Sequence, residues 1–215
     1  LHHVRLITVP QFDSVTLQGG GCDPYFIIKV RKNGRMIKIY NHKKNHKIKH
    51  VKSKEKKADI VISAGNTGAL LVVSKLNLKM IENIDKPALS ALWPNKKNMS
   101  VVLDLGANIE CSSKNLFDFS IMGASLYKSL YPTELPKVAL LNIGSEELKG
   151  NEIIKETFKI LNEKKSNDFD FAGYIEGNEL MNGNVNVIVS DGFTGNVALK
   201  TAEGTANFIT DELKK

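Results

Sequence analysis

Five short clusters combine glycine, asparagine and acidic residues with a nearby lysine or hydroxyl: Gly65, Asn66, Thr67 and Gly68; Asp104, Gly106 and Asn108; Gly144, Glu146, Lys149, Gly150 and Asn151; Glu176 and Gly177; and Asp191, Gly192, Thr194, Gly195 and Asn196. Glycine lets the main chain approach a ligand closely, and asparagine supplies an amide donor that tolerates left-handed backbone. At the start of a helix such a cluster can aim several N–H groups at one anion, so the chemistry these residues suit is the holding of phosphate. Each turn taken alone serves equally as a tight strand-to-helix connection with a helix cap. Lys149 lies in a polar loop from which a compact ammonium can reach phosphate, and is equally a surface lysine, whereas Lys200 lies one turn into a helix, where a solvated face is the simpler role. Asp191 either orients a ligand or caps the helix through Thr194 or Gly195, and Asp104 has the same two roles open to it. Cys111 has no histidine to activate it anywhere after residue 57 and reads as a small buried residue. Neither Gly-x-Gly-x-x-Gly nor Gly-x4-Gly-Lys-Ser/Thr occurs, which speaks against the usual dinucleotide and nucleoside triphosphate loops, and no metal-ligand spacing stands out.

Each cluster follows a Val/Ile-rich strand pattern and precedes an amphipathic one. Strands are predicted at 58–63, 100–105, 137–143, 169–175 and 185–190, and helical spacing of apolar residues follows over 69–81, 116–130, 153–161 and 197–213, with an extra peripheral strand near 87–93. This alternation predicts an α/β fold, a mostly parallel sheet with helices on both faces, whose ligand site lies at the carboxyl ends of the strands.

The chain has 215 residues and a net charge of +7, but the charge is unevenly spread. Residues 1–57 carry 14 Lys or Arg against three acids, while 58–215 carry 16 against 20, and all five histidines fall in the first part. Two units of different character are therefore expected, a basic β-hairpin-like segment and linker over 1–57 and an α/β domain over 58–215, joined near 51–57. The leading part predicts a strand at 4–9, a loop at 18–24, and a hairpin of 25–30 with 36–40 around Asn33 and Gly34. Its charge run over 31–57 is either a solvated linker or a patch for anionic lipid or nucleic acid. Two cysteines cannot form a disulfide framework, no apolar run reaches the roughly 18 residues of a membrane span, and the start lacks signal-peptide order, so a cytoplasmic setting, peripheral to the membrane at most, is expected. The first residue is leucine, as expected of a fragment or a splice.

The five clusters together resemble the PlsX family, the phosphate acyltransferases of bacterial glycerophospholipid synthesis. The resemblance rests on residues 63–69, on Asp104 to Asn108, on Asn142, Gly144, Glu146 and Lys149 to Glu152, on Glu176 and Gly177, and on Asp191 to Phe193 with Gly195, Asn196, Leu199 and Lys200, over about 155 residues. It implies a fold like that of isocitrate and isopropylmalate dehydrogenases and phosphotransacetylases, a homodimer, and no cofactor. It implies transfer of a fatty acyl group from acyl carrier protein to inorganic phosphate, giving acyl phosphate for a glycerol-3-phosphate acyltransferase at the membrane surface, with no nucleic acid involved. In that light Lys149, Asn196 and Asp191 are the expected catalytic residues, and Gly65, Asn66, Thr67, Gly68, Asn108 and Lys200 the expected phosphate-binding set. The family's opening Asp-Ala-Met-Gly-Gly-Asp-like segment and closing His-Gly-Ser segment are absent, which puts turnover by this chain in question. Residues 9–13, 20–26 and 38–40 resemble instead the start of the lipid-binding β-sandwich of tensin-type phosphoinositide phosphatases. That resemblance implies a second function, noncatalytic binding of anionic lipid through the basic segment; no Cys-x5-Arg phosphatase loop is present.

Overall fold

Sheet formation in this chain follows from two kinds of strand, one alternating and one apolar throughout. In a computed structural model, residues 14–18, 27–32, 35–40, 71–72, 74–75, 80–132 and 134–215 are described, with side chains from residue 71 onward. They belong to two compact units, Leu1–Asn83 and Ile84–Lys215. The expected join at 51–57, the strands at 4–9 and 58–63 and the turn holding Gly65, Asn66, Thr67 and Gly68 lie outside the described residues.

The first unit contains an antiparallel sheet of β1 (Ser14–Gln18), β2 (Ile27–Lys32) and β3 (Arg35–Tyr40), in that order. β2 and β3 pair antiparallel from Ile27 with Tyr40 to Lys32 with Arg35, the hairpin pairing expected of this stretch. β1 escapes the sequence reading, because its five residues hold only Val15 and Leu17 as alternating apolar positions. Residues 71–72 and 74–75 are helical, within the helix expected over 69–81.

The second unit is a five-stranded sheet of β4 (Ser90–Pro94), β5 (Met99–Leu103), β6 (Lys137–Leu141), β7 (Asp170–Ile175) and β8 (Val187–Val189). Its order is β4-β5-β8-β6-β7; β4 runs antiparallel to β5 and the other pairs are parallel. β4 is the extra strand, and it sits at the edge, where Pro94 withholds no ladder donor from a second neighbour. Val101, Val138 and Val187 are fully buried, as are Ala139 and Ile188, which point to the opposite face, so both faces of the middle strands are covered.

Three helices complete the unit: α1 (Ser113–Leu130), α2 (Glu152–Glu163) and α3 (Gly192–Leu213). α1 starts in a reciprocal cap, with Ser112 Oγ accepting from Asn115 N and Asn115 Oδ1 accepting from Ser112 N. It seats Leu116, Phe119 and Tyr127 in the core and approaches the sheet closely at Gly123, where a Cβ would lie 2.4 Å from Val187 Cγ1. α2 buries Ile154, Thr157 and Leu161; Ile153, expected on the same face, is 40% exposed because at about 100° per residue it falls at the margin of that stripe. α3 buries only Gly192 and Gly195, in its first turn. Among the described residues no helix is long and apolar enough to cross a membrane, and no group of three His, Cys, Asp or Glu is placed to hold a metal ion.

Candidate functional site

Parallel strands send their following turns to one edge of the sheet, so the turns after β5, β6, β7 and β8 share a rim. β8 lies between β5 and β6, and this sets the β8 turn directly beside the β5 turn.

The β5 turn is built on Asp104, whose side chain is completely buried. Its Oδ1 accepts the N–H groups of Leu89 at 3.0 Å, Gly106 at 3.1 Å and Ala107 at 2.9 Å. Its Oδ2 accepts Asn108 N at 2.8 Å and Asn108 Nδ2 at 2.7 Å. A carboxylate taken out of water needs such donors, since an unpaired buried charge is costly. Asn108 spends its other amide hydrogen on the carbonyl of Pro87, at 2.7 Å. Gly106 adopts φ +125°, a left-handed value that permits the chain to fold back over the carboxylate.

The β8 turn docks on this knot. Asp104 N donates to the Ser190 carbonyl at 3.0 Å, Gly192 N to the Asn108 carbonyl at 2.7 Å, and Asn196 Nδ2 to the Leu105 carbonyl at 3.2 Å. The fit leaves no room: a Cβ on Gly195 would lie 1.9 Å from the Asp104 carbonyl oxygen, and one on Gly192 would lie 2.5 Å from that of Asn108. Asp191 is the N-cap of α3; its Oδ1 accepts Thr194 N at 2.8 Å and its Oδ2 accepts the Thr194 hydroxyl at 2.7 Å. Of the two roles open to it, capping through Thr194 is the one the geometry displays.

The β6 turn folds on itself. Asn142 Nδ2 donates to the carbonyls of Gly144 at 3.0 Å and Lys149 at 3.1 Å, and Gly150, at φ +93°, packs beneath the Asn142 amide. Asn151 caps α2 by accepting Ile154 N at 2.9 Å. Lys149 is exposed, its stem lies over Gly144, and its ammonium forms no ion pair among the described residues. Lys200, by contrast, pairs with Glu203 at 2.7 Å on the open face of α3. Glu176 and Gly177 open a 3-10 turn after β7.

The structure thus sets Asn108 on the β5 turn and Asp191 and Asn196 on the β8 turn that bonds to it through Gly192 and Asn196, sets Lys149 in a separate turn on the same rim, and turns Lys200 toward Glu203. Sequence reasoning named Asp104 without singling it out, and it missed Asn142 as the brace of its loop. The available signal was a turn-forming Asp or Asn directly after an apolar strand and two residues before a glycine. Cys111, buried beside the knot, donates weakly to the Asn108 carbonyl at 3.7 Å. Burial, and next the nearby Asp104 carboxylate, push its thiol from about 9 to about 11, so it is protonated at neutral pH and is no nucleophile.

A family model described as fatty acid synthesis protein matches residues 34–215. A phosphate acyltransferase of Pelagibacter ubique is 83% identical over 162 residues, which are 75% of this chain and 49% of that protein. One from Caulobacter vibrioides is 48% identical over 161 residues, 75% of this chain and 44% of the relative. The chain therefore spans about half the length of the curated relatives it matches. Among solved structures, the EutD phosphotransacetylase from Staphylococcus aureus superposes with a TM-score of 0.59 at 18% identity, covering 75% of this chain and 56% of the other, a likeness of fold. With a match that takes in the whole second unit and the turns built on Asp104, Asn142 and Asp191, the chain belongs to the fatty acid synthesis protein family.

Proposed function

We propose that the rim of the second unit is part of a phosphate acyltransferase site. A phosphate oxygen attacks the thioester carbonyl of a long-chain acyl carrier protein, the carbon–oxygen bond of acyl phosphate forms as the carbon–sulfur bond breaks, and the carrier thiolate leaves and takes up a proton. Phosphate is already an oxyanion nucleophile and thiolate a fair leaving group, so positioning and oxyanion stabilisation suffice, without histidine or a covalent enzyme intermediate. Within the second unit, Lys149 and Asn196 hold phosphate and the developing oxyanion, and Asp191 and Asn108 orient them. Lys200 contributes long-range positive potential at most, given its pairing with Glu203.

The observation that carries this proposal is the 83% identity to a phosphate acyltransferase over 162 residues. The exposed Lys149 ammonium, with no ion pair among the described residues, supports its part in it. In the cell the enzyme would act in the cytoplasm as a homodimer and pass acyl phosphate to a glycerol-3-phosphate acyltransferase at the membrane surface. The test is to incubate the chain with a long-chain acyl carrier protein and inorganic phosphate and follow free carrier thiol. Phosphate-dependent release is expected. No release, together with no phosphate binding by 31P NMR, would overturn the proposal.

A further inference from the structure

Asp104 has no place among the phosphate-holding residues, yet among the described residues it is the most heavily bonded side chain at the rim. Four of its five donors come from the turn that follows it, Gly106 to Asn108, and the fifth is Leu89, next to the edge strand β4. With its N–H groups drawn inward onto this internal anion, the turn has none to offer an external one, and it presents carbonyls instead. Two of those carbonyls fix α3: that of Asn108 accepts Gly192 N, and that of Leu105 accepts Asn196 Nδ2. The close approach at Gly192 and Gly195 leaves the first turn of α3 no slack against the knot.

We infer that Asp104 is a positioning residue: its buried carboxylate closes the β5 turn, and through the Leu105 and Asn108 carbonyls that turn sets where α3 begins and how the Asn196 amide is aimed. It touches no substrate. The link from this geometry to phosphate rests on the proposed acyltransferase site; the link from Asp104 to α3 does not.

Asp104→Asn tests both. The amide is isosteric, but whichever way it turns, its NH2 faces at least two of the N–H donors that a carboxylate accepts. Amide exchange by NMR on the full chain is the first readout, at Gly192, which bonds the turn and not the carboxylate. Its exchange is expected to quicken about tenfold or more, the factor that corresponds to about 1.4 kcal/mol, while Val138 in β6 and Leu161 in α2 keep their rates. Quickening confined to Gly106, Ala107 and Asn108 would overturn the inference. If Asp104→Asn does not fold, Asn108→Ala decides, since it removes one of the five donors and keeps the Asn108 carbonyl. Gly192 exchange is then expected to rise about threefold, and an unchanged rate would overturn the inference. Phosphate affinity by 31P NMR is the second readout, expected to fall about tenfold in Asp104→Asn with cooperative melting retained. Unaltered affinity would sever Asp104 from the site. A parent chain that binds no phosphate would defeat the acyltransferase proposal alone, and Gly192 exchange would still decide the positioning role.

Discussion

The turn after β5 and the turn after β6 leave the same edge of the sheet and are written in the same few residue types, yet they are wired with opposite polarity. After β5 an acceptor sits at the centre, and the Asp104 carboxylate gathers N–H groups and leaves carbonyls facing α3. After β6 a donor sits at the centre, and the Asn142 amide gathers the carbonyls of Gly144 and Lys149 while the Lys149 ammonium stays exposed. The first turn joins elements of the fold, and the second is the one suited to an incoming anion. Which way a turn faces is decided by whether the side chain at its centre accepts or donates.

The contrast can be broken at several points. Gly195→Ala should have the largest effect, because its Cβ would meet the Asp104 carbonyl oxygen at 1.9 Å and the Ser190 hydroxyl at 2.7 Å; a loss of about 3 kcal/mol or more in urea unfolding is expected. Asn142→Ala should cost only about 1 to 2 kcal/mol, since its half-buried amide leaves two carbonyls that water can reach. If it proves as costly as Gly195→Ala, the two turns are not different in kind. Cys111 gives a pH signature of the knot. Its thiol ionises near 9 when unfolded and near 11 when folded, so the folded state retains the proton longer. Its contribution is full below about pH 9 and is lost as pH rises through about 11, and Cys111→Ala should flatten that part of the stability profile. Smallest of all, Lys200→Ala removes an exposed pair with Glu203 and should shift stability by less than about 0.5 kcal/mol.

Much of this was legible in the residues. β5, β6 and β8 announce themselves because strands covered on both faces are apolar throughout, and the capping by Asp191 was one of the two roles open to it, although the apolar helical pattern begins only at 197 and α3 already at Gly192. The sheet order was not legible, because nothing local in Val187, Ile188 and Val189 says that they slot between β5 and β6. Nor was the difference between Asp104 and Asp191, each an acid near a glycine at a strand end. One is enclosed and collects donors from Leu89 and three turn residues, while the other, half-buried, accepts from Thr194 through both its main-chain N–H and its hydroxyl. That distinction depends on how deeply each residue is enclosed, which is a property of the assembled sheet.

The insertion of β8 also has a bearing on how the second unit comes together as it is synthesised. Until residues 187–189 are available, β4 with β5 and β6 with β7 are two separate strand pairs with no ladder between them. Three residues made after both pairs then supply the seam on both sides, so nascent chains ending short of them would carry two unjoined half-sheets with exposed edges, the kind of species that chaperones recognise.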